Sequence, residues 1–319
     1  MYVARAAGAL LVGTVLTCAV IVAPRATAAE PNLRLSWSEA TQCYEFDTGQ
    51  LFGCIEPHTW YHGIAGLVHR EHQLDIVRPR KALLNAEYYL RTATARQMLP
   101  RQLSRDKKTV HEIRNGRVLV HFPQEPTCQF TMDLEYEPRQ DHVDLRMTIS
   151  PSRDIPRFEV FFASYVAESL GETWVPLQSE DGVQRWKKLD NRQVTNEVFQ
   201  VVRDARARTL VGDGRWGPGS PNVIKLEARP FSKPILVARN PRTALAVVFL
   251  LDPRMTTLLA GQYHGWDTAH DWCFGSDLVA GQKMRAMARM IYRRFEDVPS
   301  MFAAIEAEWS TFVEVARAK

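Results

Sequence analysis

In the middle of this chain, His142-Val143-Asp144-Leu145-Arg146-Met147-Thr148-Ile149 alternates polar and apolar side chains without a break. Successive side chains of a strand point to opposite faces, so the pattern fits a strand with one buried face and suits no helix. The rhythm recurs in short runs at Tyr44 to Phe46, Leu51 to Ile55, Ile64 to His69, Val118 to Phe122, Phe130 to Tyr136 and Arg157 to Tyr165. It continues at Trp174 to Leu177, Val223 to Ala228, Ile235 to Ala238 and Met284 to Tyr292. Gly63, Asn115-Gly116, Pro123 and Pro151 punctuate the early runs, as turn formers do between antiparallel strands. Ala244 to Leu251 is apolar throughout, which marks a strand covered on both faces.

Two segments read as helices. Asn196 to Leu210 carries Val198, Val201, Val202 and Ala205 at roughly helical spacing and stops before Gly212. Over 299–317, Ser300 is placed to cap a run whose Phe302, Ile305, Trp309, Phe312 and Val313 share one face. The expected fold is therefore mainly β: a large antiparallel β-sandwich with a short middle helix and a C-terminal amphipathic helix laid over the sheet. Residues 29–319 are enough for one such domain.

Residues 1–28 read as a secretory signal peptide, with Arg5 in a positive n-region, Ala6 to Val22 apolar, and Ala26-Thr27-Ala28 as a small-residue cleavage site. The apolar stretch nearly reaches the about 20 residues a membrane span needs. It is Ala/Gly-rich and precedes a cleavage pattern, so no stable span is expected after processing, and the location expected is periplasmic or extracellular. Cys43, Cys54, Cys128 and Cys273 then remain in a compartment where disulfides persist. The turn Asp47-Thr48-Gly49 would bring Cys43 and Cys54 side by side, with four buried thiols as the alternative. A net charge of +4 with no dense Lys/Arg block excludes nucleic acid as the expected partner. No cysteine spacing suggests zinc, and neither a metal nor a cofactor is expected.

Aromatic and ionisable residues concentrate in three places. In Glu56-Pro57-His58-Thr59-Trp60-Tyr61-His62-Gly63, His58 or His62 could act as acid or base while Trp60 and Tyr61 stack on a ligand. The alternative is a solvated loop, and Pro57 and Gly63 oppose the helical spacing that a metal would ask of His58 and His62. In Gly212-Asp213-Gly214-Arg215-Trp216, the Asp, Arg and Trp offer an acceptor, a forked donor and a stacking surface, the groups of a sugar or uronate site. An Asp-Gly turn with surface packing explains the same residues. In Gln262 to Trp272, read as a loop, His264 and Asp267 could pair as acid and base beside Trp266, and Arg239 could add a cation. No phosphate loop, G-x-S-x-G elbow or H-E-x-x-H sequence is present.

Several segments together resemble the galactose-mutarotase-like β-supersandwich group of exported bacterial proteins. They are the hairpin ending in Gly53, Trp60 to Arg70, Asp141 to Pro151, Phe158 to Tyr165, Asp213 to Trp216, and Phe274 to Gly281. The resemblance implies packed antiparallel sheets with a carbohydrate cleft on one face. Aldose epimerases of the group carry an Asn-His dipeptide and a late catalytic Glu; this chain has no Asn-His, and Glu296 lacks a matching context.

The function expected is an exported protein that binds or processes neutral or uronate-containing glycans. In a catalytic version, a lyase, epimerase or hydrolase, His62 or His264 is the acid/base, Asp213 or Asp267 the carboxylate, and Arg215 or Arg239 the holder of negative charge. The alternative is a non-catalytic cell-envelope protein that holds a protein partner with its last helix.

Overall fold

The computed structural model describes residues 33–90, 96–189, 197–215, 223–263 and 267–317. The segment expected as a signal peptide lies outside them. Residues Pro31–Lys319 form one compact unit.

The chain opens with β1 (Arg34–Ser38), β2 (Cys43–Asp47), β3 (Leu51–Glu56), β4 (Gly63–His69) and β5 (Leu74–Asp75), which pair in sequence as a five-stranded antiparallel sheet. Next come β6 (Asn85–Leu90), β7 (Arg96–Gln97), α1 (Leu99–Arg105), β8 (Val110–Arg114), β9 (Arg117–Phe122), β10 (Phe130–Pro138), β11 (His142–Pro151) and β12 (Ile155–Ala167). After them run β13 (Glu172–Gln178), β14 (Gln184–Leu189), β15 (Glu197–Val202), α2 (Ala205–Gly212), β16 (Val223–Leu226), β17 (Ile235–Arg239) and β18 (Leu245–Leu251). The chain closes with β19 (Thr256–Tyr263), β20 (Asp267–Leu278), β21 (Met284–Arg294) and α3 (Val298–Arg317). A nine-stranded sheet has the order β14-β13-β17-β18-β21-β11-β10-β9-β8, and a seven-stranded sheet the order β16-β15-β19-β20-β12-β6-β7. This is the mainly-β sandwich that the alternation predicts.

The period-two pattern decides where the core lies. Val143, Leu145, Met147 and Ile149 of β11 enter one continuous apolar cluster with Phe158, Val160 and Phe162 of β12 and with Phe46, Leu51 and Ile64 of the five-stranded sheet. All three sheets share that core. The strand β18 is buried on both faces, as its unbroken apolar sequence requires: Val247, Phe249 and Leu251 enter the shared core, while Ala246, Val248 and Leu250 face the other way. On that outer side lies α3, which buries Met301, Ile305 and Phe312. The apolar stripe of the last helix therefore covers its own sheet. Its start is fixed by Asp297, whose Oδ1 accepts from Ser300 N at 2.7 Å while Ser300 Oγ accepts from Asp297 N at 3.2 Å, so Asp297 takes the capping place expected of Ser300.

Three expectations are corrected. The segment Asn196 to Leu210 is not one helix: Val198, Gln200 and Val202 alternate along β15, and the helix begins only at Ala205, after Asp204 accepts from Ala207 N at 2.7 Å. β-branched residues at period two outweigh an accidental helical spacing. The segment Gln262 to Trp272, read as a loop, ends β19 and enters β20, whose Ala269 to Trp272 are buried. All four described cysteines are free thiols, so the expected Cys43–Cys54 bridge is absent. The turn does place the pair together: β2 and β3 set Glu45 opposite Cys54, which makes Cys43 its diagonal neighbour on the same face. The hydrogen bond with Cys54 lowers the Cys43 thiol to about 7 and, with burial, raises that of Cys54.

Phe312 is fully enclosed between α3 and the nine-stranded sheet, so Phe312→Ala is expected to cost about 3–5 kcal/mol. Urea denaturation measures this, and the exposed Phe52→Ala serves as the near-neutral control.

Candidate functional site

The outer face of the seven-stranded sheet is where the structure departs from simple alternation. Along the β6–β12 pair, Phe162 lies opposite Ala86 and Phe161 opposite Tyr88, which leaves Glu87 as an extra residue in β6. Such a bulge turns two consecutive side chains to the same side. Here Glu87 and Tyr88 both line a pocket of about 60 Å³ on the outer face, with Arg96, Phe161, Gln200 and Asp271 among the other walls. A second bulge, in β19, inserts Thr257 between residues paired with Phe274 and Cys273. Its hydroxyl donates to Glu159, the outward residue two before Phe161 on β12.

Charges on this face are enclosed but paired. Glu87 accepts from Arg101 of α1 and, at 2.5 Å, from the Tyr165 hydroxyl. Glu159 meets Arg215 at 2.7 Å, and Arg215 also holds Asp213 at 2.8 Å. Burial raises the Glu159 carboxyl against the opposing pull of Thr257 and Arg215. Burial likewise works against the Arg215 charge, and the two carboxylates outweigh it and raise its pKa. Tyr88 stacks on Phe161 with ring centres 4.4 Å apart and planes 4° apart, and Arg96 lies over its other side at 3.9 Å. Gln200, with none of its surface exposed, has no hydrogen-bond partner for either side-chain amide atom among the described residues. An unpaired buried amide costs about 1–3 kcal/mol, so a polar group that reached this pocket wall would be stabilised by it.

The expected site residues divide. Asp213 and Arg215 reach this face, but as the ion-paired support of Glu159. Tyr61 borders it: its ring meets Tyr165 edge-on at 5.3 Å, and Lys81 donates to its hydroxyl at 2.7 Å. Burial opposes ionisation of Tyr61, and Lys81 and Arg101 outweigh it and lower its pKa. Trp60 lies under Arg105 and Arg101, with centroid distances of 5.2 and 5.6 Å. His62 is completely enclosed against Phe122, and burial, followed by the Arg101 charge, pushes its pKa down to about 3. It meets no solvent in this conformation. Arg239 sits in the nine-stranded sheet, paired with Glu172 at 3.1 Å. His264, Trp216, Trp266 and the side chain of Asp267 lie outside the described residues.

His58 belongs to a different arrangement, a chain of hydrogen bonds along Tyr44, His111, His58 and Thr109. Tyr44 Oη stands 2.6 Å from His111 Nδ1, His111 Nε2 2.7 Å from His58 Nε2, and His58 Nδ1 3.0 Å from Thr109 Oγ1. Thr109 donates to the Pro57 carbonyl at 3.2 Å. With Thr109 spending its proton on the carbonyl, His58 Nδ1 donates to Thr109; in the arrangement with both imidazoles neutral, His58 Nε2 accepts from His111 and His111 Nδ1 accepts from Tyr44. Burial lowers both histidines, and for His58 the facing His111 and Lys107 add to it.

Glu87, Tyr88, Gln200 and Arg101 were not singled out from the sequence. A carboxylate inside the run Asn85-Ala86-Glu87-Tyr88-Tyr89-Leu90 was the available signal, since a charge amid strand-forming apolar residues has to be paired or functional.

No family model matches the chain, and no curated protein matches it in sequence. Among solved structures it is similar to a galactose mutarotase related enzyme from Lactobacillus acidophilus, at 7% identity over 80% of this chain and 98% of that one, with a TM-score of 0.52. A galactose mutarotase-like protein from Lactobacillus casei ATCC 334 is 9% identical over 79% of this chain and 100% of that one, with a TM-score of 0.49. The first likeness shows the fold: this chain has the galactose-mutarotase-like β-sandwich.

Because the folded state holds His58 and His111 below the ordinary value of about 6.5, the unfolded chain takes up more protons as pH falls. Their contribution to stability is complete above that value and is lost as pH drops through the lowered folded values. Urea midpoints at pH 7.5 and pH 5 are expected to differ less in His111→Phe than in the parent. An equal difference in both proteins would remove the pair from the account.

Proposed function

We propose that the protein binds a carbohydrate on the outer face of the seven-stranded sheet, at the pocket shared by Glu87, Tyr88, Gln200 and Asp271. The observation that carries this reading is the bulge at Glu87, which sets a carboxylate and a stacked tyrosine side by side next to the Gln200 amide, which has no partner among the described residues. Sugars present hydroxyls to such polar groups. The names borne by the similar structures belong to sugar chemistry, which supports the ligand class.

The pocket volume of about 60 Å³ is far below the about 300–1,000 Å³ of sites that swallow a drug-sized ligand. A single substituent, such as a hydroxymethyl or carboxylate group, enters it while the ring rests at the mouth. Two carboxylates in one pocket, Glu87 and Asp271, are the groups from which lyase, epimerase or hydrolase acid-base chemistry is built. Binding is the part of the reading that the geometry supports most directly. From residues 1–28 we infer export, so that the ligand is met in the periplasm or outside the cell. No helix among the described residues is long and apolar enough to cross a membrane.

The test is a thermal-shift screen of the mature chain against neutral sugars, uronates and oligosaccharides, repeated on Gln200→Leu. A ligand that binds only the folded state raises the midpoint by mass action. Replacing an unpaired buried amide with an apolar isostere is expected to leave the ligand-free protein as stable or more so, by up to about 1–3 kcal/mol, while abolishing the ligand's shift. A shift that survives Gln200→Leu, or none with any glycan, would overturn the reading.

A further inference from the structure

Far from that pocket in sequence, the turn between β4 and β5 gathers two histidines and a glutamate. His69 closes β4 opposite Leu51 and Leu74. Its carbonyl accepts from His72 N at 3.1 Å and from Gln73 N at 2.8 Å, and Gln73 completes the turn with a φ of 50°. This single helix-like turn sets residues three apart on the same side. The His69 and His72 rings accordingly lie 4.8 Å apart with an interplanar angle of 31°. A nitrogen from each ring and a Glu71 carboxylate oxygen all fall within 4.8 Å of one another.

We propose that His69, Glu71 and His72 form a binding site for a divalent transition-metal ion, Zn²⁺ by their donor set. Two imidazoles and one carboxylate are a nitrogen-and-oxygen set that zinc accepts, with the remaining tetrahedral position left to solvent or a ligand. His69 is the fixed member. Only 4% of its surface is exposed, its ring meets Tyr292 edge-on at 5.6 Å, and its Nδ1 has no hydrogen-bond partner among the described residues. The Gln50 amide lies 3.5 Å from its other nitrogen, Nε2. Turned with its oxygen toward the ring, that amide accepts from Nε2–H and leaves Nδ1 with a free lone pair, the arrangement by which an outer neighbour orients a ligating histidine.

The other two donors can adjust. The His72 side chain is 23% exposed and that of Glu71 76%, and His72 Nε2 stands 3.9 Å from Glu71 Oε2. Donors about 2 Å from a metal lie closer together than the present spread, so Glu71 and His72 close onto the buried His69 when the ion binds. The competing cation nearby is held elsewhere: Arg70 Nε is bound to Asp47 at 2.9 Å. The cluster opens onto a groove of about 700 Å³ that also contains Arg293, Arg294 and Glu296, so an open metal position there would be reached from solvent. This site is separate from the carbohydrate reading and does not depend on it.

The experiment is calorimetric titration of chelator-stripped mature protein with ZnCl₂ at pH 7.5, with His72→Ala and Glu71→Gln as variants. Both residues lie at the surface end of the cluster, so the variants keep the metal-free melting temperature, which is measured alongside. Expected is saturable binding of one ion per chain, weakened at least tenfold in His72→Ala, and visible absorption bands of tetrahedral Co²⁺ that disappear in that variant. Absence of saturable Zn²⁺ binding, or parental affinity retained in both variants, would overturn the proposal.

Discussion

One inserted residue in one strand sets up the outer face of the seven-stranded sheet. A regular β6 would alternate Glu87 and Tyr88 between core and exterior, and one of the two would then meet the shared apolar core. The shift of register between Phe161 and Phe162 removes that conflict. Glu87 stays with Tyr88 on the outside, and Ala86 and Tyr89 still reach the inside. Were Glu87 turned inward, its carboxylate would be buried among Phe and Val side chains, at a cost of several kcal/mol. The bulge at Thr257 repeats the solution on β19 and delivers the hydroxyl that meets Glu159. Two of the three register shifts in this sheet thus supply polar groups to the same face.

The same constraint explains the ion pairs around that face. Glu87 and Glu159 are nearly inaccessible, so each is held by an arginine from outside the sheet: Arg101 on α1 and Arg215 in the turn after α2. Both helices thereby gain a task beyond packing. They bring guanidinium groups whose planar forks satisfy carboxylates. Breaking one such pair would strand a charge, at about 3–5 kcal/mol. Gln200 stands apart from these networks, since its amide is enclosed without a partner among the described residues.

The fold was largely legible in the sequence because its strands obey a simple rule. The alternation of β11, the unbroken apolar run of β18 and the one-sided pattern of α3 each record burial directly. The candidate site was much less legible, because a bulge is a property of two strands in register and neither β6 nor β12 shows it alone. The histidines drew attention by their chemistry, yet burial took His62 into the core and a hydrogen-bond chain absorbed His58. Asp213 and Arg215 were read as ligand groups and are the support of Glu159. In β15, valine spacing mimicked a helix, and only the placing of Gln200 among the pocket residues shows why a strand is there.

The most direct measurement is a crystal structure of the mature chain with the saccharide that stabilises it most. Expected is a sugar at the mouth of this pocket, with one polar group within hydrogen-bond distance of the Gln200 amide and close to Glu87. A saccharide seated on the nine-stranded sheet, or in the groove beside His69, with the Gln200 pocket empty, would contradict the central claim.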